Sequence, residues 1–316
     1  MTSVGFNVDG KYKLVVRKAD GSIKEETDWF DNLITGAGIN WLFTATTYSA
    51  WRGVAGAGNA TPVLSDTTLQ SYLGACTTKF ADSGTYQATT APYWVRRTIT
   101  FRGALGAVVG NVSEVGVAMS GSPTASTTLF SRALVVDSNG NPTSVAVAAD
   151  EQLDIVWQFT VYMSPSSGTF NQMIDGVSTP FNYAIDALGL GIDTTNGGWA
   201  SMSSSYDTLY PLANGGNTNV NIEEGNTLSS VTRVVGGGQS ISMETDGTYI
   251  SNSYNRNYKV TCSLNQANFA TGIGWIAIPM NFFKFQIAFT STKVLKTSSK
   301  TYTFNFNVAI SNGAPA

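Results

Sequence analysis

The chain of 316 residues contains no histidine. That absence removes the usual imidazole general base, the Ser-His and Cys-His pairs of nucleophilic catalysis, and the commonest zinc ligand. Charge is scarce too: Asp, Glu, Lys and Arg make up 12% of residues, about half the ~25% of an average soluble domain. With 18 Lys+Arg against 21 Asp+Glu, a net charge of −3, no strong basic field gathers phosphates, so nucleic-acid binding is not expected. Two cysteines, Cys76 and Cys262, are too few for a disulfide scaffold, and neither lies in a C-x-x-C arrangement. Both read as small core residues. The most apolar stretch, Gly274 to Phe289, is interrupted by Pro279, Asn281, Lys284 and Gln286, short of the ~18 to 20 apolar residues of a spanning helix. The opening MTSVGFNVDGKYKLVV has no basic stretch leading into an apolar run. The expectation is a soluble protein made in a cytoplasm, with no membrane insertion.

What the chain does have is glycine, 32 residues of it, and short stretches of period two between turn clusters. Residues 11 to 30 predict a hairpin, with Lys13 to Arg17 and Ser22 to Thr27 on either side of Asp20-Gly21. Thr35 is placed to cap a short helix reaching Phe43, Trp51 to Gly58 reads as a strand of small residues, and Ser65 would cap a helix over Asp66 to Leu73. From Tyr93 the alternation is clear: Val95, Arg97, Ile99 and Phe101 share one face of a strand. Further strands are expected at Val112 to Met119, Leu129 to Val136 and Ser144 to Ala148, then at Leu153, Ile155, Trp157, Phe159 and Val161. This pattern predicts an all-β protein with few short helices, built as antiparallel sandwiches.

Two halves echo one another. Gly84-Thr85-Tyr86 followed by Thr98, Ile99 and Phe101 matches Gly247-Thr248-Tyr249 followed by Thr261, Cys262 and Leu264 at one constant offset. Leu153-x-Ile155-x-Trp157-x-Phe159-x-Val161 matches Tyr302-x-Phe304-x-Phe306-x-Val308-x-Ile310, and Val115-Gly116-Val117-Ala118 matches Ile273-Gly274-Trp275-Ile276. A rougher echo joins Val54 to Gly58 with Ala187 to Gly191. Alternation common to β proteins would explain isolated matches; their conserved order favours a tandem duplication. The expected organisation is a sandwich-like domain with an N-terminal hairpin at 1–164, a linker at 165–174 around Ser164-Pro165-Ser166-Ser167-Gly168, and a second related domain at 175–316 that lacks the hairpin.

The search for chemistry returns little. Gly56-Ala57-Gly58-Asn59-Ala60-Thr61 lacks the third glycine of a dinucleotide fingerprint, and no phosphate-loop pattern is present. Glu223-Glu224 and Asp150-Glu151 read as solvated turn charges, and Asp186, Asp193, Asp207 and Asp246 lack the spacing of a calcium loop. Arg96 and Arg97 point to opposite faces of a strand, so they make no stacking patch for nucleic acid. No catalytic residue, cofactor or metal ligand is therefore nominated. Trp199, Tyr206 and Tyr210, in the Gly/Ser-rich stretch 196 to 217, are the candidate contacts to a surface glycan.

The succession Asn32-Leu33-Ile34-Thr35, Gly58-Asn59-Ala60-Thr61-Pro62-Val63-Leu64-Ser65-Asp66-Thr67-Thr68-Leu69, Ser113-Glu114-Val115-Gly116-Val117 and Phe130-Ser131-Arg132-Ala133 resembles tail and fibre proteins of tailed bacteriophages. The likeness covers about residues 11 to 162; in the second half no acidic residue precedes Ile273-Gly274-Trp275. It implies a non-enzymatic virion structural protein of the tail tip, baseplate or fibre attachment. Such a protein assembles in the host bacterial cytoplasm, partners other tail proteins, and forms a homo-oligomer, a trimer or hexamer. A charge-poor, aromatic-containing chain fits subunit interfaces. The alternatives are a receptor-binding protein that recognises bacterial surface glycan and a capsid decoration protein.

Overall fold

The computed structural model describes residues 2–45, 49–87, 89–174, 177–187, 208–209, 218–224, 238–279, 284–290 and 293–315. Its strands in the first half are β1 Thr2–Arg17, β2 Ile23–Glu26, β3 Phe30–Asp31, β4 Leu33–Ile34, β5 Ser49–Ala50, β6 Arg52–Gly56, β7 Tyr72–Cys76, β8 Thr78–Gln87, β9 Tyr93–Arg102, β10 Gly110–Val112, β11 Glu114–Ala118, β12 Leu129–Leu134, β13 Val145–Val147 and β14 Gln152–Met163. They continue as β15 Ser166–Ile174, β16 Val177–Ala187, β17 Thr208–Leu209, β18 Thr218–Glu223, β19 Gln239–Thr245, β20 Asn255–Cys262, β21 Trp275–Pro279, β22 Lys284–Phe289 and β23 Tyr302–Asn312. The one helix among the described residues is α1, Gly36–Thr44. The all-β class expected from the period-two pattern is what the chain adopts.

A fourteen-stranded sheet runs β15-β16-β22-β21-β18-β19-β20-β23-β1-β14-β9-β8, with β2 and β3 also on β1. A second sheet of five strands runs β4-β12-β11-β6-β7. The five-stranded sheet packs its small and aromatic residues on β14 and β9: Phe130 meets Trp157 and Phe159 edge-on, and Gly53 lies against Ile155 and Phe101. At the other end the large sheet folds over itself, so that Phe285 of β22 meets Phe6 of β1 and Phe306 of β23, and Phe170 of β15 meets Phe304. The result is two sandwiches side by side that share one continuous layer. Alternation explains which residues fill it: Tyr302, Phe304, Phe306, Val308 and Ile310 are all buried, as are Leu153, Ile155, Trp157, Phe159 and Val161.

β1 is the strand common to both sandwiches. Phe6 to Arg17 pair antiparallel with β14, while Thr2 to Val8 pair in parallel with β23. The neighbour order in the five-stranded sheet recurs in the large one, where β16-β22-β21-β18-β19 stands for β4-β12-β11-β6-β7, every pair antiparallel. Register is not carried over residue for residue. Ile99 faces Trp157, whereas Cys262, its sequence match, faces Tyr302 and not Phe306. The slip is an even number of residues, so every side chain keeps its face.

Three local expectations are corrected. Segment 165–174 is not a linker: Ser166–Ile174 is β15 and pairs along its length with β16, which gives the second half its own N-terminal hairpin. Residues 66–73 form no helix. The Gln70 and Ser71 N–H groups donate to the Glu114 carboxylate in place of carbonyls one turn back, and the chain enters β7 at Tyr72. The strand expected over 112–119 is divided at Ser113 into β10 and β11, which pair with different strands. The helix capped by Thr35 forms as expected, with the Thr35 hydroxyl accepting from Gly38 N at 3.0 Å, and the hairpin at Asp20-Gly21 closes with Gly21 at φ +84°.

Candidate functional site

Residues from three of the motif segments, 58–69, 113–117 and 130–133, meet in one knot. Glu114, at the start of β11, and Arg132, on β12, are 0% and 2% exposed. Their strands are antiparallel neighbours, and the alternation that buries Val115 and Val117 against the core puts these two charges on the opposite face, beneath loop 57–71. Glu114 Oε1 accepts from Gly58 N at 3.0 Å and Ser71 N at 2.7 Å, and its Oε2 from Gln70 N at 3.1 Å and Arg132 Nε at 2.9 Å. The Arg132 guanidinium also donates to Asp66 Oδ2 at 2.8 Å and to the Ala60 carbonyl at 2.9 Å. Asp66 Oδ2 accepts from Val63 N at 2.9 Å, Gln70 Oε1 accepts from Asn59 N and Ala60 N, and Ser113 Oγ donates to the Gly58 carbonyl.

Chemically this is a clamp. Both oxygens of Glu114 are used by backbone donors and the guanidinium, which supplies the hydrogen bonds that a buried charge needs. The loop it holds presents Val63 and Leu64 to solvent. Sequence reasoning singled out these motifs but did not join Asp66, Glu114 and Arg132; the available signal was that all three acidic and basic positions lie in the resembling segments.

A second tie joins the halves at α1. Asn40 Oδ1 accepts from Tyr249 Oη at 2.7 Å and Asn252 N at 2.9 Å, while its Nδ2 donates to Asn252 Oδ1 at 2.9 Å and Ser251 Oγ at 3.2 Å. Phe43 stacks on Tyr249, and Arg256 donates to the Phe43 carbonyl. The turn so held contains Asn252 at φ 64° and Tyr254 at φ 53°, conformations that cost free energy for a residue with a side chain and persist where surrounding contacts impose them. Ile250 projects from this turn, 74% exposed. Asn40 carried no sequence signal.

Several other charges are held by specific partners. Asp154, between β1 and β9, takes Arg17 Nε at 2.9 Å and Arg102 Nε and Nη2 at 2.7 Å. Arg97 is buried, as its strand parity required, and grips Asp82, whereas Arg96 lies over the Trp94 ring on the other face. Glu151 accepts from Lys24, which holds its carboxyl below the usual range. Glu224 is held low by the Thr271 hydroxyl and backbone, and Asp186 lies against the Tyr93 phenol. Cys76 and Cys262 are free and buried, and desolvation pushes both thiols up, Cys262 to about 11. Neither is an activated nucleophile. Among the described residues no group of three Asp, Glu, His or Cys side chains is placed to hold a metal. No helix among them is long and apolar enough to cross a membrane. Trp199, Tyr206, Tyr210, Asp193 and Asp207 lie outside the described residues. Comparison with protein-family models, curated proteins and solved structures found no match.

Proposed function

We propose that the chain is a non-enzymatic structural protein of a tailed-bacteriophage virion, a component of the tail tip, baseplate or fibre attachment that works by protein assembly. The observation that carries this reading is the Glu114–Arg132–Asp66 knot. The polar residues of three of the motif segments, Asp66, Ser113, Glu114 and Arg132, are engaged in fixing loop 57–71 to its sheet, a task of shape rather than of reaction. The partners are other tail proteins and further copies of the chain, as a trimer or hexamer, and the recurring strand order reads as a tandem duplication in which each half contributes one sandwich. Six similar domains from three chains would match a sixfold tail to a threefold tip.

Immunogold electron microscopy of phage particles, with antibody raised against the recombinant chain, tests the assignment. Gold at the tail tip is the expected result. Gold over the head transfers the chain to capsid decoration. Unlabelled particles with accessible antigen overturn the virion reading and turn attention to glycan binding by Trp199, Tyr206 and Tyr210, for which a glycan array with wild type and Trp199→Ala is the next measurement.

A further inference from the structure

We propose that the open edge of β8 is an interface between two copies of this chain, paired antiparallel about a two-fold axis near Gly84 so that the large sheet continues into its partner. The proposal deepens the assembly reading and rests on it for its purpose. β8 is a terminal strand of the fourteen-stranded sheet, so among the described residues one side of its backbone has no neighbouring strand. Beyond the irregularity between Lys79 and Ala81 the strand is regular, pairing Asp82 with Ile99 through to Gln87 with Trp94. Ser83, Gly84, Thr85 and Tyr86 are all exposed in succession. Since alternate residues point to opposite faces, neither face of this stretch is covered by a described residue.

Soluble proteins guard such edges with projecting lysines, prolines, bulges or a covering loop. From Ser83 to Gln87 the strand has no lysine, proline or irregularity, and no described residue covers it. The charged residues of β8, Lys79 and Asp82, are turned inward to one another, and Asp82 takes the buried Arg97. The irregularity falls at one end and leaves the stretch from Asp82 to Gln87 in regular register. Phe80 and Tyr86, 57% and 43% exposed, stand on this strand as large apolar groups open to solvent.

The occupant is argued from the strand's own chemistry. A two-fold contact needs a surface complementary to itself, and an uncharged Ser83-Gly84-Thr85 segment meets that need. With Gly84 on the axis, Ser83 faces Thr85 of the second copy, a favourable cross-strand pair, and no like charges oppose one another. A hexamer would then be three such pairs. A trimer would not contain the contact.

The experiment measures native mass by sedimentation of the full chain. Wild type is expected at an even multiple of the chain mass. Ser83→Lys with Thr85→Lys places like charges opposite one another and raises the dimer dissociation constant about a hundredfold, which halves the mass; Ser83→Glu with Thr85→Glu does the same. Mixing the two variants restores the wild-type mass, which excludes misfolding as the cause. A monomeric or trimeric wild type, a mass that neither variant alters, or variants that dissociate without rescue on mixing overturns the proposal. Immunogold reads the place of the chain in a particle and sedimentation reads this contact, so each can fail without the other.

Discussion

The two sandwiches hold the same strand order together by different chemistry. In the first, β11 and β12 carry Glu114 and Arg132, and Arg132 faces Gly116 across the ladder. In the second, β21 and β22 place buried Phe289 beside Gly274, with Phe289 N donating to the Gly274 carbonyl at 2.8 Å, and the position matching Glu114 is Gly272. The Phe289 ring turns into the core against Phe170, Phe181 and Phe304, whereas Glu114 and Arg132 lie on the face of their sheet that is turned away from the core, so the ion pair of the first half has no counterpart in this aromatic. The difference follows from what each sheet must hold. The first covers loop 57–71, whose Gly58, Gln70 and Ser71 N–H groups need an acceptor that only a carboxylate reaching under the loop supplies. In the described part of the second half the loop after β20 is tied by Lys296, which donates to Asn268 Oδ1 at 2.8 Å and to the Leu264 carbonyl, and by the Glu224 carboxylate, which accepts from Thr271 N and Oγ at 2.7 Å each.

The sharpest way to break this comparison is Arg132→Met. It leaves the buried Glu114 side chain without its guanidinium, and is expected to cost about 3 to 5 kcal/mol in denaturant unfolding. If the loss is within the ~0.5 kcal/mol of an ordinary surface change, the knot is not what holds the first sandwich. Next in size is Asn40→Ala at the seam between the halves. It strips acceptor and donor from Tyr249 Oη, Asn252 N and Asn252 Oδ1, and should cost about 1 to 3 kcal/mol, with faster amide exchange across the 249–254 turn. Unchanged exchange there would mean that the turn's left-handed residues are held by the second half alone.

The smallest effect tests the shared strand. Burial raises the Asp9 carboxyl above its ordinary 3.8, and nearby Asp31 adds to the rise, against the opposing backbone bond from Gly10. The folded state therefore binds this proton more tightly than the unfolded chain. The ionised group disfavours folding at neutral pH, and the penalty is absent below the unfolded value. Asp9→Asn is expected to raise Tm at pH 7 and to leave it unchanged near pH 3. A lower Tm at pH 7 would show that the carboxylate's bond to Gly10 N outweighs its desolvation.

Much of the fold was legible in the chain, and the reasons are local. Alternation along 153–161 and 302–310 reports which face is buried because a strand has a period of two and water is excluded from one side. The turn at Asp20-Gly21 and the cap at Thr35 depend on conformational and hydrogen-bonding preferences that act within a few residues. Arg97 was placed on the inward face by parity alone, and that is where it lies.

What only the tertiary structure decided was pairing between distant segments. The chain from Ser65 to Leu73 has a helix-like start, yet the Glu114 carboxylate, more than forty residues away, supplies the hydrogen bonds that a helix would have made internally. Ser166 to Gly168 has the composition of a linker, but a free edge of β16 lies beside it, and backbone pairing is open to any residue other than proline. β1 reads as one strand of a hairpin, and nothing in its sequence announces that it serves β14 on one side and β23 on the other. Composition and period set which residues are buried, because burial depends on the side chain itself. Which strands and charges meet is set by the whole packed chain, since a hydrogen bond or an ion pair needs a partner that local sequence does not contain.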